Sequence, residues 1–405
     1  MVNNLKIVWI CHFTNSQIQL KLNPLRKLNE IAPWISLGID EVKKNKAIEL
    51  HIISPHRWIS GVREFRDENI FYHFFNSGIP YYGRHWPRFF RFDIWTNFLY
   101  NRYIIKKLTL RINPQIVHLH GFENAYYSSS ILDLFILYPT IVTVQGFSSL
   151  QIPDEKINGA NKIRMLFEKR IMKNIKNFGV RDHAMKELII KHNPNAKFFY
   201  HEYFMNIPDK NSESRSYGYL YDLVYFARIS KEKGIEDLIK VVGKLKLTKP
   251  DIRVAIMGSS APLYLGYLKN MAKDIGCLDN FDFLGFQKSQ EDIYEKLYKS
   301  KIAVLPTYND NVPGLVIESM LRKVPVVTYK TGGLPDLNSE GHNIEIVDQG
   351  DINGLESKIL NLLNNPSYAK EIAERASKFA FLRWDNTKAL NDILNAYETI
   401  LSNQE

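Results

Sequence analysis

The chain has 405 residues, 45% hydrophobic and 13% aromatic, with a formal charge of +10. That length exceeds what one hydrophobic core usually serves, and the composition excludes an intrinsically disordered chain. Two cysteines exclude a disulfide framework and suit a reducing compartment, and even the apolar stretch 131–144, broken by Asp133 and Pro139, falls short of the roughly 20 residues that span a bilayer.

Residues 5–13 (LKIVWICHF) read as a buried strand and residues 50–53 as another. The first run is short and interrupted by His12, with no small-residue cleavage pattern, which predicts no signal peptide and a cytoplasmic protein. Residues 84–112 (RHWPRFFRFDIWTNFLYNRYIIKKLTLRI) hold seven Lys or Arg against one Asp, with eight aromatics interleaved. Basic side chains favour an anionic bilayer surface by on the order of 1 kcal/mol each, and aromatics settle at the headgroup boundary. One reading is peripheral attachment to an anionic membrane surface, at the inner face of the plasma membrane. The other is a helix whose aromatics are core and whose arginines are a solvated face. No nucleic-acid motif accompanies the charge, so nucleic acid is not an expected partner.

Residues 115–121 (QIVHLHG) form a third strand, whose alternation places Val117 and Leu119 on one face and His118 and His120 on the other. His120, at the carboxyl end beside Gly121, Phe122 and Glu123, is the better placed to meet a ligand; a satisfied structural histidine is the alternative. Residues 140–147 (TIVTVQGF) repeat the strand-to-loop pattern and include Gln145, which can hydrogen-bond a hydroxyl or carbonyl but cannot titrate. Residues 207–218, polar and aperiodic, read as a linker between a domain of residues 1–206 and one of 217–380. In the tail, 381–405, the spacing of Trp384, Leu390, Ile393, Leu394 and Tyr397 predicts one helix across 381–401 with these as its buried face.

The second half is the more informative. Residues 223–234 (LVYFARISKEKG) are an apolar strand ending in Arg228, with Lys233 five residues on and Gly234 entering an amphipathic helix (Ile235, Leu238, Ile239, Val242). An Arg fork and a Lys point charge at one strand end can neutralise a diphosphate. No Asp-x-Asp triplet occurs anywhere, so no metal-diphosphate clamp is evident and no metal ligand is assigned. Residues 301–336 then read strand, polar turn, helix, strand, closed by Gly332 and Gly333: a βαβ unit. Its turn brings Gly314, which lets backbone approach a ligand, between two carboxylates eight positions apart, Asp310 and Glu318. Helix N-termini attract anions, and carboxylates accept hydrogen bonds from vicinal hydroxyls, so the pattern points to a phosphate with hydroxyls attached: a nucleotide sugar. The alternative is a solvated Glu318 and a capping Asp310.

Residues 220–405 resemble the C-terminal domain of GT-B glycosyltransferases of the family 4 type, the large retaining group. The resemblance runs through Arg228, Lys233, Asp310 and Glu318, and through VAIMGSS (254–260), FLGF (283–286), AVLPT (303–307) and GGLPD (332–336). It implies an α/β chain of two Rossmann-like, doubly wound domains facing a central cleft, with the tail crossing back onto the first. Arg228 and Lys233 are then the phosphate-binding pair, Asp310 contacts the donor sugar and Glu318 the ribose. His120 joins the catalytic group, and Gly258, Phe286, Gly314, Leu315 and Gln145 the donor-binding one. Three departures stand out: Asp310 replaces the usual Glu, Ala227 the usual Gly, and Gln145 the His of many relatives. The loop 14–17 also lacks the glycines that relatives carry there.

The function so implied is transfer of a sugar from a nucleotide-diphosphate donor to a glycan or lipid-linked acceptor in cell-surface polysaccharide synthesis. It would proceed with retention, without metal and without a cofactor beyond the donor itself. A nucleotide-sugar epimerase of the same fold, or a non-catalytic subunit that binds donor or acceptor, are the alternatives.

Overall fold

The structure, a computed structural model, describes residues 5–23, 31–87, 89–151, 159–208, 218–287 and 289–403. The chain forms two compact units, Met1–Met205 with Trp384–Glu405, and Asn206–Arg383. Most of the expected linker, 209–217, lies outside the described residues.

The first unit is built on an eight-stranded sheet in the order β3-β4-β2-β1-β5-β6-β7-β8. Its strands are β1 (Leu5–Ile10), β2 (Ile48–His56), β3 (Val62–Asp67), β4 (Ile70–Asn76), β5 (Ile116–His120), β6 (Thr140–Thr143), β7 (Asn177–Val180) and β8 (Lys197–Tyr200). All neighbours pair in parallel except β3 with β4. Parallel strands are covered on both faces, which is why β1 reads as an unbroken apolar run. Ile7 and Trp9 enter the core on one face, Val8 and Ile10 that on the other. Strand order reverses between β1 and β5, so their carboxyl ends flank the crevice where open α/β sheets bind ligands.

The tail corrects one expectation. The single helix predicted across 381–401 is interrupted at Trp384 and Asp385: one helix, Pro366–Arg383, ends, and a second, Asn386–Ser402, begins. The reason is local, since the Asp385 side chain accepts from the Lys388 N–H at 2.8 Å and caps the new helix. The apolar face is as expected: Trp384, Leu390, Ile393 and Tyr397 are buried, and Leu394 packs beside them in the first unit.

Tyr397 anchors this helix in a buried chain of hydrogen bonds. Trp9 Nε1 donates to the Tyr397 hydroxyl at 2.9 Å, which lies 2.6 Å from His118 Nδ1. His118 Nε2 is 2.6 Å from Thr143 Oγ1, and Thr143 Oγ1 is 2.8 Å from His201 Nε2. One direction of donation, from Trp9 through to His201, satisfies every member when both imidazoles are neutral. Burial keeps them so, pushing His118 well below its ordinary value and His201 to about 4.

The second unit carries a six-stranded, wholly parallel sheet, β11-β10-β9-β12-β13-β14. The strands are β9 (Tyr221–Phe226), β10 (Val254–Met257), β11 (Phe281–Gly285), β12 (Ser300–Leu305), β13 (Val326–Tyr329) and β14 (Glu345–Val347). Counted from β9 this is the order 3-2-1-4-5-6 of the dinucleotide-binding fold, with its switch point between β9 and β12. Both units are doubly wound, as expected.

Residues 84–112 bear on the two readings offered above; Arg88 lies outside the described residues. The helix Leu99–Ile112 buries its aliphatic side, Ile105, Leu108 and Ile112, against the sheet. Of the aromatics, Phe98 is buried, while Phe89 is 92% and Trp95 85% exposed, with Phe90, Phe92 and Tyr103 also outside. The aromatics are therefore not the core of this helix. Among the described residues no helix is long and apolar enough to cross a membrane. Cys11 and Cys277 are buried and unbridged.

Candidate active site

At the switch point of the second sheet, the loops after β9 and β12 are laced together. The Tyr308 N–H donates to the Glu232 carbonyl at 2.9 Å, and the Thr307 hydroxyl to the same oxygen at 3.3 Å. Gly234, at φ +69°, makes this approach possible: a Cβ there would sit 1.8 Å from the Pro306 carbonyl oxygen. Lacing brings Lys233 onto Asp310 as an ion pair, with Lys233 Nζ also 3.4 Å from the Asn309 carbonyl. Arg228 is exposed at the end of β9, its own carbonyl accepting from the Tyr225 hydroxyl at 3.3 Å.

Two glycines after β13 support Asp310 from behind. A Cβ on Gly332 would lie 2.1 Å from the Asp310 carbonyl oxygen, and the Gly333 N–H donates to the Asn311 carbonyl at 3.1 Å. Gly258, expected among the donor contacts, has a comparable steric duty: a Cβ there would meet the Ala227 carbonyl oxygen at 1.8 Å, just before Arg228.

After the β12 loop the helix Gly314–Leu321 starts from Pro313, which offers no side-chain cap. Its first N–H groups thus keep their pull on an anion. Gly314 is exposed, and a Cβ on it would meet nothing within 4 Å, so its surroundings are open. Leu315 is 3% exposed and its side chain is core, which leaves only its main chain for a ligand. Glu318 sits one turn further in. Its Oε2 is inaccessible and without a partner, and burial pushes its carboxyl up to about 7 despite the Arg322 cation pulling it back. Arg322 itself lies on the Tyr294 ring, 3.4 Å from the centroid. Phe286, just past β11, is 55% exposed.

The structure thus gathers Arg228, Lys233, Gly258, Asp310, Gly314, Leu315 and Glu318 at the carboxyl edge of one sheet. His120 and Gln145 belong to the equivalent edge of the other, at the ends of β5 and β6. The two meet around Gly121, where a Cβ would be 2.7 Å from Gln145 Oε1. As alternation requires, His118 and His120 share a face and stack at 3.9 Å, with Trp9 4.5 Å from the His120 ring. His120 is 5% exposed, its Nε2 has no partner, and burial holds it neutral well below its ordinary value. It can exchange hydrogen bonds but carries no proton to give as an imidazolium near pH 7. In the loop 14–17, Asn15 caps the helix Ser16–Leu22, its side chain accepting from the Ile18 N–H at 2.9 Å.

Sequence reasoning passed over Asp237 and Arg322. Asp237 is buried on the helix Ile235–Thr248 and accepts from the hydroxyls of Tyr308 and, at 3.1 Å, Tyr329, which fixes the β12 loop from below. Its signal was a carboxylate on the apolar side of an amphipathic helix. Arg322, four residues after Glu318, carried none.

Residues 207–379 match the sequence model of the glycosyl transferases group 1 family. Among curated proteins, N-acetyl-alpha-D-glucosaminyl L-malate synthase of Bacillus anthracis is 24% identical over 178 residues, 44% of this chain and 44% of that one. The match thus spans less than half of that relative's length. Among solved structures, sucrose-phosphate synthase of Thermosynechococcus elongatus superposes with a TM-score of 0.74 at 14% identity, covering 98% of this chain and 99% of that one. HepE of Anabaena, in complex with UDP and glucose, superposes with 0.63 at 15% identity, covering 97% and 99%. These likenesses show the fold, a GT-B one of two Rossmann-like domains.

Proposed function

We propose, from the premise that residues 207–379 are a glycosyl transferases group 1 domain, that the chain moves a sugar from a nucleoside diphosphate to a glycan or lipid-linked acceptor. The observation that carries the reading is the convergence, at one switch point, of a Lys233–Asp310 pair, an uncapped helix start and Glu318 with its buried Oε2 unpaired. Positive charge beside a helix start suits a diphosphate, and a carboxylate one turn in suits the hydroxyls attached to it. The UDP and glucose bound by HepE are in keeping with such a donor.

Arg228, Lys233 and the first N–H groups of the Gly314–Leu321 helix would stabilise the leaving diphosphate as the glycosidic bond breaks. Asp310 would orient the sugar while holding Lys233 in place, and Glu318 would accept from the ribose. Gly258, Phe286 and the main chain of Leu315 complete the donor site. His120 and Gln145, expected in the catalytic and donor-binding groups, are reassigned to the acceptor side because they stand on the edge of the first sheet, and there they act as hydrogen-bonding groups rather than proton carriers. No metal or protein nucleophile has a part in this scheme, and retention follows by front-face attack assisted by the departing phosphate.

The segment 84–112 gives the acceptor its place. Its exposed aromatics adjoin an apolar groove of about 470 Å³, lined by Trp86, Phe92, Phe98, Leu99, Tyr100 and Tyr103. Arg84, Lys106 and Lys107 belong to the same segment, which thus combines apolar rings with positive charge. A lipid-linked acceptor at an anionic membrane face, as in cell-surface polysaccharide synthesis, suits both.

The test is a thermal-shift panel of UDP-, GDP-, ADP- and dTDP-sugars with and without EDTA, repeated on Arg228→Ala. One donor that stabilises the protein in EDTA, and not the variant, supports a metal-independent nucleotide-sugar site. No stabilisation by any donor would favour a non-catalytic subunit.

A further inference from the structure

The first unit holds a cluster that the donor chemistry does not use. Arg181 follows β7 directly and is only 6% exposed. Its Nη2 donates to the Val144 carbonyl past the end of β6, and its guanidinium lies on the Tyr203 ring, 3.6 Å from the centroid. Nε and Nη1 have no acceptor, and no carboxylate among the described residues pairs with it within 4.0 Å. A guanidinium stays charged at any ordinary pH, and a buried cation without counter-charge is strongly disfavoured.

Other unsatisfied groups stand around it. Nε2 of His120 and Oε2 of Glu123 are buried without partners, and both side chains lie within electrostatic reach of Arg181. Glu123 is pushed up to about 7 by burial against the pull of Arg164 and Arg181, so near neutral pH it is only partly ionised and gives Arg181 a fractional counter-charge. Asp182 does not supply the missing charge: its Oδ1 accepts from the Met185 N–H at 2.8 Å to cap the helix His183–Ile190, and its Oδ2 makes no bond. Gly121, at φ +80°, lets these groups converge, since a Cβ there would lie 2.7 Å from Gln145 Oε1 and 2.9 Å from both Glu123 carboxyl oxygens.

Folded proteins leave few buried polar groups unpaired, so a concentration of them at the carboxyl edge of one sheet marks a ligand that completes them. The missing complement is an anion for the Arg181 fork, together with hydroxyls for Glu123, Gln145 and His120. We propose that the carboxyl edge of β5, β6 and β7 is an acceptor subsite that recognises a sugar carrying an anionic group, through Arg181. The assignment of this ligand as acceptor rests on the glycosyltransferase reading above; the recognition of a hydroxylated anion does not.

Isothermal titration of glucuronate, glucose 6-phosphate and glucose into wild type, Arg181→Gln and Arg181→Lys tests it, with UDP, GDP, ADP and dTDP titrated in parallel. One anionic sugar should bind wild type about ten- to hundredfold more tightly than glucose, as expected for a charge-assisted pair of hydrogen bonds. Arg181→Gln should lose that preference and Arg181→Lys recover part of it, with nucleotide binding equal in all three. Glucuronate above glucose 6-phosphate names a carboxylate, and the reverse a phosphate. Equal binding of all three sugars by wild type, or a preference that survives in Arg181→Gln, overturns the subsite. If Arg181→Gln fails to fold, seen as lost nucleotide binding, Arg181→Lys decides: a preference weaker than that of wild type supports the subsite, and one equal to it overturns it. A preference that persists while none of the four nucleotides binds wild type leaves the anion site standing and removes the glycosyltransferase reading.

Discussion

Lys233 and Asp310, 77 residues apart in the chain, form an ion pair at the carboxyl edge of the second sheet, with side chains only 17% and 22% exposed. The contact joins the loops after β9 and β12, and it places the one carboxylate of the β12 turn against a phosphate-seeking ammonium. Lys233→Ala is expected to lower kcat/KM by about 10²- to 10³-fold, the scale for losing a preorganised charge at a developing anion. Initial rates with the donor found in the panel, beside a circular-dichroism melt, check it; unaltered turnover would remove Lys233 from the mechanism.

Glu318 makes stability depend on pH. Its folded carboxyl titrates near 7 against an ordinary 4.5, so between these values the folded state holds a proton that the unfolded state has released. Stability contributed by the protonated form is complete below about 4.5 and is lost as pH rises through 7. Glu318→Gln should therefore stabilise the ligand-free protein at pH 8, by on the order of 2–3 kcal/mol, while leaving it unchanged at pH 4.5. Urea titrations at both pH values measure the difference. The same variant should bind donor more weakly, since an amide replaces a charged acceptor for the ribose.

The exposed rings of Phe89 and Trp95 predict vesicle binding. Co-sedimentation with phosphatidylserine vesicles should be seen for wild type, weaken with added salt, and fall steeply in Phe89→Ser/Trp95→Ser. Lys106→Ala and Lys107→Ala should each weaken it by about fivefold, the equivalent of roughly 1 kcal/mol per charge. Binding that ignores both the rings and the lipid charge would remove the membrane from the proposal.

Tyr397→Phe deletes one oxygen from a buried chain of bonds and leaves Trp9 Nε1 and His118 Nδ1 facing carbon. An unfolding free energy lower by about 1–3 kcal/mol is expected, with donor binding intact. Chemical denaturation followed by tryptophan fluorescence reports it. A neutral result would mean that water replaces the hydroxyl.

The candidate site of the second unit was legible in the sequence because its parts are continuous there: a strand running into Arg228 and Lys233, then a strand, turn and helix carrying Asp310, Gly314 and Glu318. Each is a local pattern of period and punctuation. What the pattern could not give is how close separate loops come. That Gly234 faces the Pro306 carbonyl, or Gly332 that of Asp310, is a fact of folded distance, although the glycines themselves were visible. Arg181 was overlooked for the same reason: one Arg after a short strand reads as solvated charge until the fold buries it. The break at Trp384 and Asp385 was readable, since Asp385 precedes a helical stretch in the manner of a cap, but the apolar spacing on both sides concealed it. The exposed aromatics of 84–112 illustrate the converse, composition having left open whether they are core, which burial answers.

The hydrogen-bonded chain from Trp9 through Tyr397 to His201 has a bearing on synthesis. The first sheet is translated within the first 200 residues, yet its interior lacks a wall until residues 386–402 have left the ribosome. For the whole time that the second unit is being made, the Trp9 face of the first one is covered only in part, by the helix Pro33–Lys43, and is liable to association with other chains. The second unit, drawn from one uninterrupted stretch, can close first. Order of maturation in this protein is thus expected to run against order of translation, and a nascent chain stalled before residue 386 should be the form that chaperones hold.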